Sequence, residues 1–219
     1  MTGDAAHHLG RVLRAEPGQV FELSDGKTAW LGRIELVRKD RVDFALIEPI
    51  ASKESPLETT LLLSLVKFDS FEWALEKGTE LGVSAIRPLA AARSEKALLY
   101  AAEKRSERWK RILLEASQQS RRVRLPELHP VEKPALAFAR QADCKVILSE
   151  KAEAQLLRTV LPGKADTAVI AIGPEGGWAD EEFDAAEAAG YRQASLGGLI
   201  LRTETAVICA LSNLNYALG

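Results

Sequence analysis

The chain is poor in the residues that most often declare a chemistry. It holds two cysteines and three histidines in 219 residues. Cys144 and Cys209 both sit in apolar stretches, with neither a metal-ligand spacing nor a disulfide framework, which fits a reducing cytoplasm. His7, His8 and His129 lack partners at the spacing of a zinc site or a hydrolytic triad. No GxxxxGK[ST] stretch occurs, and no GxGxxG follows a strand. Readings as a nucleotide hydrolase or dinucleotide enzyme lose their main support with those loops. No apolar run approaches the ~18 residues of a membrane span, and no apolar targeting core opens the chain. The expectation is a soluble cytoplasmic protein with no membrane partner and no metal.

What is present is a core and an uneven charge. Hydrophobic residues make up 47% of the chain, enough for an ordinary domain plus a small one. A net charge of −2 argues against indiscriminate nucleic-acid binding. Yet Arg105, Arg108, Lys110 and Arg111 precede Arg121, Arg122 and Arg124. Such a zone suits a polyanion bound at one face, or is simply a solvated helix face.

Residues 18–50 alternate in short segments around an Asp25-Gly26 turn, which predicts three or four strands in a small barrel or meander. The polar, proline-containing 51–56 reads as a linker. Beyond it the pattern predicts a β-α-β unit: strand 59–66, helix 70–81 and strand 84–89. Asp69 or Ser70 would cap that helix and Gly82 would end it. A long helix over 103–120 follows, then helices over 134–141, 153–160, 180–189 and 204–218. Between them fall strands over 145–148, 167–172 and 193–196. Alternation of this kind implies a parallel sheet with helices on its faces.

The most informative stretch is 168–214. Two apolar runs end in glycine-rich loops that lead into helices, Gly173-Pro174-Glu175-Gly176-Gly177 and Gly197-Gly198, the second followed by Leu201-Arg202-Thr203-Glu204-Thr205. Glycine at a strand end lets backbone approach a ligand, and strand C-termini are where open parallel sheets bind ligands. Asp180 would cap the helix after the first loop, with Glu181 and Glu182 in its first turn. These acids suit the helix dipole but repel an anion, so a neutral or cationic ligand fits better than a phosphate. The alternative is a tight crossover turn. Thr203 would cap the last helix, with Arg202 and Glu204 as a mutual ion pair or as functional groups. Trp30, Trp73, Trp109 and Trp178 read most simply as packing residues, Trp178 also being placed to line a pocket.

These residues resemble a known family. IGPEGG at 172–177, LG…ILRTETA at 196–206 and QQSRR at 118–122, with HHLGRVLR at 7–14 and KGTELGV at 77–83, are similar to the bacterial 16S ribosomal RNA uracil-N3-methyltransferases. These are knotted enzymes of the SPOUT class, and the likeness spans nearly the whole chain. It implies a PUA-like, RNA-binding β-barrel over 1–53. It also implies an α/β methyltransferase domain over 54–219, its parallel sheet flanked by helices and closed by a C-terminal trefoil knot. The family also implies S-adenosylmethionine as cofactor, 16S rRNA or the small ribosomal subunit as partner, a homodimer, and methyl transfer to N3 of a uridine.

By the same resemblance the cofactor would lie against Leu148, Ser149 and Glu150, against Ile172, Gly173, Pro174, Glu175, Gly176 and Gly177, and against Leu196, Gly197, Leu201, Thr203, Thr205 and Ala206. Arg202 would steady the reacting base and Glu204 would serve as base or orienting partner. His8, Arg11, Arg14, Arg121, Arg122 and Arg124 would meet RNA. The sequence departs from the family's pattern in four places, one being Gln118 where glutamate is common. No strand precedes the His-His segment after Met1, Gly198-Leu199 stands where Pro-Arg or Lys-Arg is usual, and Arg121 stands where glycine is common. A knotted enzyme acting on a ribose hydroxyl and a non-catalytic ribosome assembly factor are the alternatives.

Overall fold

A computed structural model describes residues 1–51 and 55–219. Residues 52–54, the heart of the expected linker and the place of the expected 53/54 boundary, lie outside the described residues. The chain divides into two compact units, Met1–Glu54 and Ser55–Gly219.

The first unit is an antiparallel meander of β1 (Val20–Ser24), β2 (Ala29–Arg38) and β3 (Arg41–Ile50), in the order β1-β2-β3. The Asp25-Gly26 signal is a tight loop between β1 and β2. Asp25 Oδ1 accepts the N–H groups of Lys27 and Thr28, both at 2.8 Å, and Gly26 takes φ +86°, which suits a glycine. Among the described residues β1 and β3 do not pair, so of the barrel and the meander expected from the sequence it is the meander that forms. Helix α1 (Gly3–His7) and a single π-helical turn at His8–Val12 precede it and were not anticipated. Ala6, Leu9, Ala15, Ile34 and Val42 form the core of this unit. Ahead of α1, Thr2 bridges Arg41 and the Met1 amino group donates to the Val42 carbonyl at 2.9 Å.

The second unit is a seven-stranded sheet whose pairings are all parallel. Its strands are β4 (Glu58–Ser64), β5 (Ala85–Leu89), β6 (Glu127–Leu128), β7 (Cys144–Leu148), β8 (Gln155–Leu156), β9 (Thr167–Ile172) and β10 (Arg192–Ser195). The order across the sheet is β6-β5-β4-β9-β7-β10-β8. The central strands read as continuous apolar runs because both of their faces are covered. Successive side chains point to opposite faces. Leu61, Leu63, Val146 and Ile170 therefore join one core, with Phe71, Leu75 and Trp109. Leu62, Ile147, Val169 and Ala171 join the other, with Phe138, Trp178 and Tyr191.

The first face carries α2 (Phe68–Glu80), α3 (Lys96–Gln119), α5 (Leu157–Val160) and α7 (Thr203–Leu218). The second carries α4 (Pro134–Phe138) and α6 (Asp180–Ala188). Most elements fall where the pattern put them, and Gly82, at φ +87°, ends α2 as expected, but the N-caps differ. Residues Lys67, Ala179 and Arg202 hold the N-cap positions of α2, α6 and α7, and none makes a side-chain cap bond. Asp69, Ser70, Asp180 and Thr203 therefore cap nothing. Asp180 instead pairs with Lys151 at 3.0 Å, and Thr203 Oγ1 donates to the Gly173 carbonyl at 3.4 Å. Helix α3 begins seven residues earlier than read, at Lys96 rather than 103.

Candidate active site

Three neighbouring strands, β9, β7 and β10, end side by side, and their C-terminal loops enclose a cleft of about 740 Å³. That is the size of a pocket for a whole small-molecule ligand, roughly 300–1,000 Å³. Every loop has a defined anchor. Ser149 N–H donates to the Ala194 carbonyl at 2.8 Å, tying the end of β7 to β10. Trp178 Nε1 donates to the Leu148 carbonyl at 3.1 Å, tying the 173–178 loop to β7.

Gly173 lies against that indole. A Cβ added there would stand 3.1 Å from Trp178 Nε1, closer than a side chain tolerates without movement. The Gly177 N–H closes a turn onto the Pro174 carbonyl at 2.8 Å, with Gly177 at φ +69°. Arg93, in the loop after β5, donates to the Gly176 carbonyl at 2.9 Å. The same loop is held by Glu182, whose two oxygens accept Ala92 N–H at 2.8 Å and Ala179 N–H at 2.9 Å. Glu182 thus satisfies the start of α6 and stitches the end of β5 to the glycine loop.

Of the residues expected at a cofactor, Leu148, Ser149, Glu150, Ile172, Gly173, Pro174, Glu175, Gly176, Gly177, Leu196, Gly197, Leu201, Thr203 and Ala206 all line this cleft, as does Arg202. Thr205 and Glu204 do not. Each helical residue turns about 100° from the last, and Glu204 is buried on the first turn of α7. The Arg202–Glu204 ion pair is not formed among the described residues. Arg202 is exposed on the cleft and Glu204 is turned inward.

The cleft also takes residues the sequence reading missed. Besides Arg93 these include Lys151, Phe183, Ser195, Leu199 and Ile200. Lys151 Nζ lies 4.3 Å from the centre of the Phe183 ring, and its hydrogen bond and charge hold the Asp180 carboxyl below its usual range. Lys151 follows the C-terminus of β7, so the rule that flagged the glycine loops would have flagged it too.

The basic zone is less free than its sequence suggests. Arg105 and Arg108 both bond Glu72, at 2.9 and 2.7 Å. Burial pushes that carboxyl up, but the hydrogen bonds from Arg108 and Arg105 outweigh it, and Glu72 sits below the ordinary carboxylate range. Lys110 pairs with Glu107 and Arg111 with Glu115. Arg122 donates to the Thr79 and Val83 carbonyls at 3.0 and 2.8 Å, which satisfies the C-terminal end of α2. Arg121 and Arg124 are exposed beyond α3. Arg121 takes φ +56°, the left-handed conformation that favours glycine just past a helix. In the first unit His8, Arg11 and Arg14 are exposed, and none has an ion pair among the described residues.

A parallel sheet with a main-chain cleft at its strand ends narrows the field, and comparison with known proteins decides it. The RNA methyltransferase domain family matches residues 53–215, and the RNA methyltransferase PUA domain family matches residues 1–47. The ribosomal RNA small subunit methyltransferase E of Synechocystis is 36% identical, over all of this chain and 73% of its own length. The chain belongs to the ribosomal RNA small subunit methyltransferase E family. It is therefore a methyltransferase. Two solved structures carry the likeness into three dimensions. A Legionella pneumophila methyltransferase in complex with SAM is 33% identical with a TM-score of 0.89, covering 100% of this chain and 91% of that one. The family enzyme of Neisseria gonorrhoeae bound to S-adenosyl methionine is 32% identical with a TM-score of 0.87, covering 99% and 90%.

No helix among the described residues is long and apolar enough to cross a membrane. No group of three or more metal-type side chains occurs among them either.

Proposed function

We propose that the protein methylates N3 of a uridine in 16S ribosomal RNA, with S-adenosylmethionine held in the strand-end cleft. The observation that carries this is the cleft itself. Main chain at Gly173, Gly176, Gly177 and Gly197 lines it, and two exposed carboxylates on it, Glu150 and Glu175, offer partners to a sulfonium cation. When bound, the cofactor supplies a methyl group on a sulfonium cation. The chain's own part is to bind, orient and handle charge. N3 of uracil carries an imide proton, and its loss spreads negative charge over the two flanking carbonyls. Arg202, exposed on the cleft and with no ion pair among the described residues, is the cation placed to meet that charge. Fixed placement of base and methyl supplies much of the rest, up to roughly 7–11 kcal/mol in well-oriented cases.

The same reading takes Met1–Glu54 as the RNA-binding unit, with His8, Arg11 and Arg14 as contacts, and residues 55–219 as the methyltransferase unit. The late entry of β9 between β4 and β7 supports the family's knotted threading. Trp73 on α2 and Tyr216 on α7, 44% and 93% exposed, support pairing of two copies in a cytoplasmic homodimer. Arg121 and Arg124 are the RNA contacts of the second unit. Arg121 holds a strained backbone in the place of the family's glycine, and RNA binding accounts for the exchange.

The test is methyl transfer to unmodified small-subunit RNA, with the product mapped. Arg202→Ala should lose at least about 100-fold in kcat while S-adenosylmethionine affinity stays within a few-fold. Near-normal turnover would take Arg202 out of the chemistry. Arg121→Gly should raise stability by about 1 kcal/mol and yet bind RNA more weakly, with a flatter salt dependence. Gained stability with unchanged RNA affinity would leave Arg121 no role in binding.

A further inference from the structure

Across the 173–177 loop from the main cleft lies a second, smaller space of about 190 Å³. It is below the roughly 300–1,000 Å³ of whole-ligand pockets, and takes a single ring rather than a nucleotide. Its floor is apolar and fixed. Leu65 and Val66, just beyond β4, are buried, and Leu98 closes the side. Ser94 Oγ donates to the Leu65 carbonyl at 2.8 Å, locking the end of β5 against the end of β4. The wall it shares with the main cleft is Arg93, Pro174, Glu175 and Gly176. The two spaces therefore adjoin at one guanidinium and one carboxylate.

Those two groups have unspent bonding capacity. Arg93 gives one of its five N–H donors to Gly176, and no other bond of its guanidinium occurs among the described residues. Glu175 is exposed and has no ion pair among them. Glu95, also exposed, stands at the rim. Two carboxylates to one cation reject a phosphate but not a neutral ring. A one-ring crevice with an apolar floor, lined also by a guanidinium and by carboxylates, offers both a donor and an acceptor to the edge of uracil, where an N–H stands between two carbonyls. Cytosine presents a bare nitrogen and an amine there, and would set donor against donor and lone pair against lone pair.

We propose that this crevice seats the acceptor base, with Arg93 donating to one uracil carbonyl, Glu175 taking the N3 proton, and the other carbonyl left toward Arg202 on the main cleft. The inference rests on the reading of the main cleft as the cofactor's seat and of uridine as the acceptor. The step balances without a further reagent. The N3–methyl bond forms as the methyl–sulfur bond breaks, and that electron pair stays on sulfur. The proton passes from N3 to the Glu175 carboxylate and then to water. Glu204, buried and away from both spaces, is excused from the role of base.

The experiment uses the full chain, tritiated S-adenosylmethionine and small-subunit RNA lacking the modification. Leu98→Trp fills the crevice and leaves Arg93 and the glycine loop in place. It should cut methyl transfer by about 100-fold, the cost of misplacing a reacting group, with cofactor affinity by calorimetry within about threefold of wild type. Glu175→Gln is isosteric and should lower kcat by at least about 100-fold at neutral pH. Part of that rate should return as rising pH ionises the imide in solution. Should Leu98→Trp cost cofactor binding as well, Glu175→Gln and its pH profile decide. Independently of turnover, a 16S RNA fragment carrying 4-thiouridine at the mapped target should photo-crosslink to 65–66 or 93–98. Crosslinks confined to other peptides, or wild-type kinetics in Leu98→Trp or Glu175→Gln, overturn the crevice alone. Wild-type protein that transfers no methyl to small-subunit RNA overturns the functional reading and the crevice with it.

Discussion

The two glycine-rich loops look alike in sequence and are opposite in construction. The first, at 173–177, is tied from four directions: Trp178 to Leu148, Arg93 to Gly176, Glu182 to Ala92 and Ala179, and Thr203 to Gly173. The second, at 196–202, has one local lock. The Ser195 hydroxyl donates to the Gly197 carbonyl and accepts its N–H. Beyond it Gly197 and Gly198 have no heavy atom within 4 Å of where a Cβ would stand, and Leu199 and Ile200 are 84% and 80% exposed. Glycine serves close packing in the first loop and open backbone in the second. A ligand meets one wall already ordered and another that must be ordered on binding, at an entropic cost.

That contrast can be broken by mutation. The largest effect should come from Gly173→Val, because Trp178 is pinned and cannot yield cheaply. We expect a loss of about 1–3 kcal/mol in stability and at least a tenfold loss in cofactor affinity, about 1.4 kcal/mol, read by urea denaturation and calorimetry. A variant that bound normally would show the first loop to be as yielding as the second. Next comes Glu182→Ala, which strips the acceptor from two backbone N–H groups at once. A cost of about 1–2 kcal/mol is expected, only part of it recovered by Glu182→Gln, which keeps one acceptor oxygen and turns an NH2 toward the other N–H; a Glu182→Ala variant as stable as the parent would count against the clamp. The smallest effect belongs to the second loop. Leu199→Ser combined with Ile200→Ser should change stability by no more than about 0.5 kcal/mol. A drop well beyond that would mean these side chains are packed after all, and the contrast would dissolve.

Much of this arrangement was legible in the sequence, and the reason differs by element. Strand β9 was read end to end at 167–172, because burial on both faces leaves an unbroken apolar run between polar punctuation. Of the fifteen cofactor contacts that the family resemblance implied, fourteen line the cleft, all but Thr205. Side-chain bonding was not legible. Thr203, Asp180, Asp69 and Ser70 are all good cap residues by type. Yet Thr203 and Asp180 spend their polar atoms on groups distant in sequence, which only the folded strand order brings near. Strands β6 and β8 are two residues long, too short to carry any period. Arg93 escaped because its loop belongs to β5, and nothing in the sequence says that β5 ends beside the turn after β9. The basic zone misled for the same reason, since the carboxylate that holds Arg105 and Arg108 comes from another helix.

The brevity of β6 and β8 has a consequence for how copies of the second unit meet. They are the two rims of the seven-stranded sheet. A rim of two residues offers few unpaired N–H and C=O groups, while the long aliphatic strands are kept inside, each flanked on both sides. Strand-on-strand growth, the usual route by which exposed sheets recruit one another into aggregates, has almost no template here. Any encounter between copies of this unit is left to its helices and loops, where side chains rather than main chain decide who is accepted.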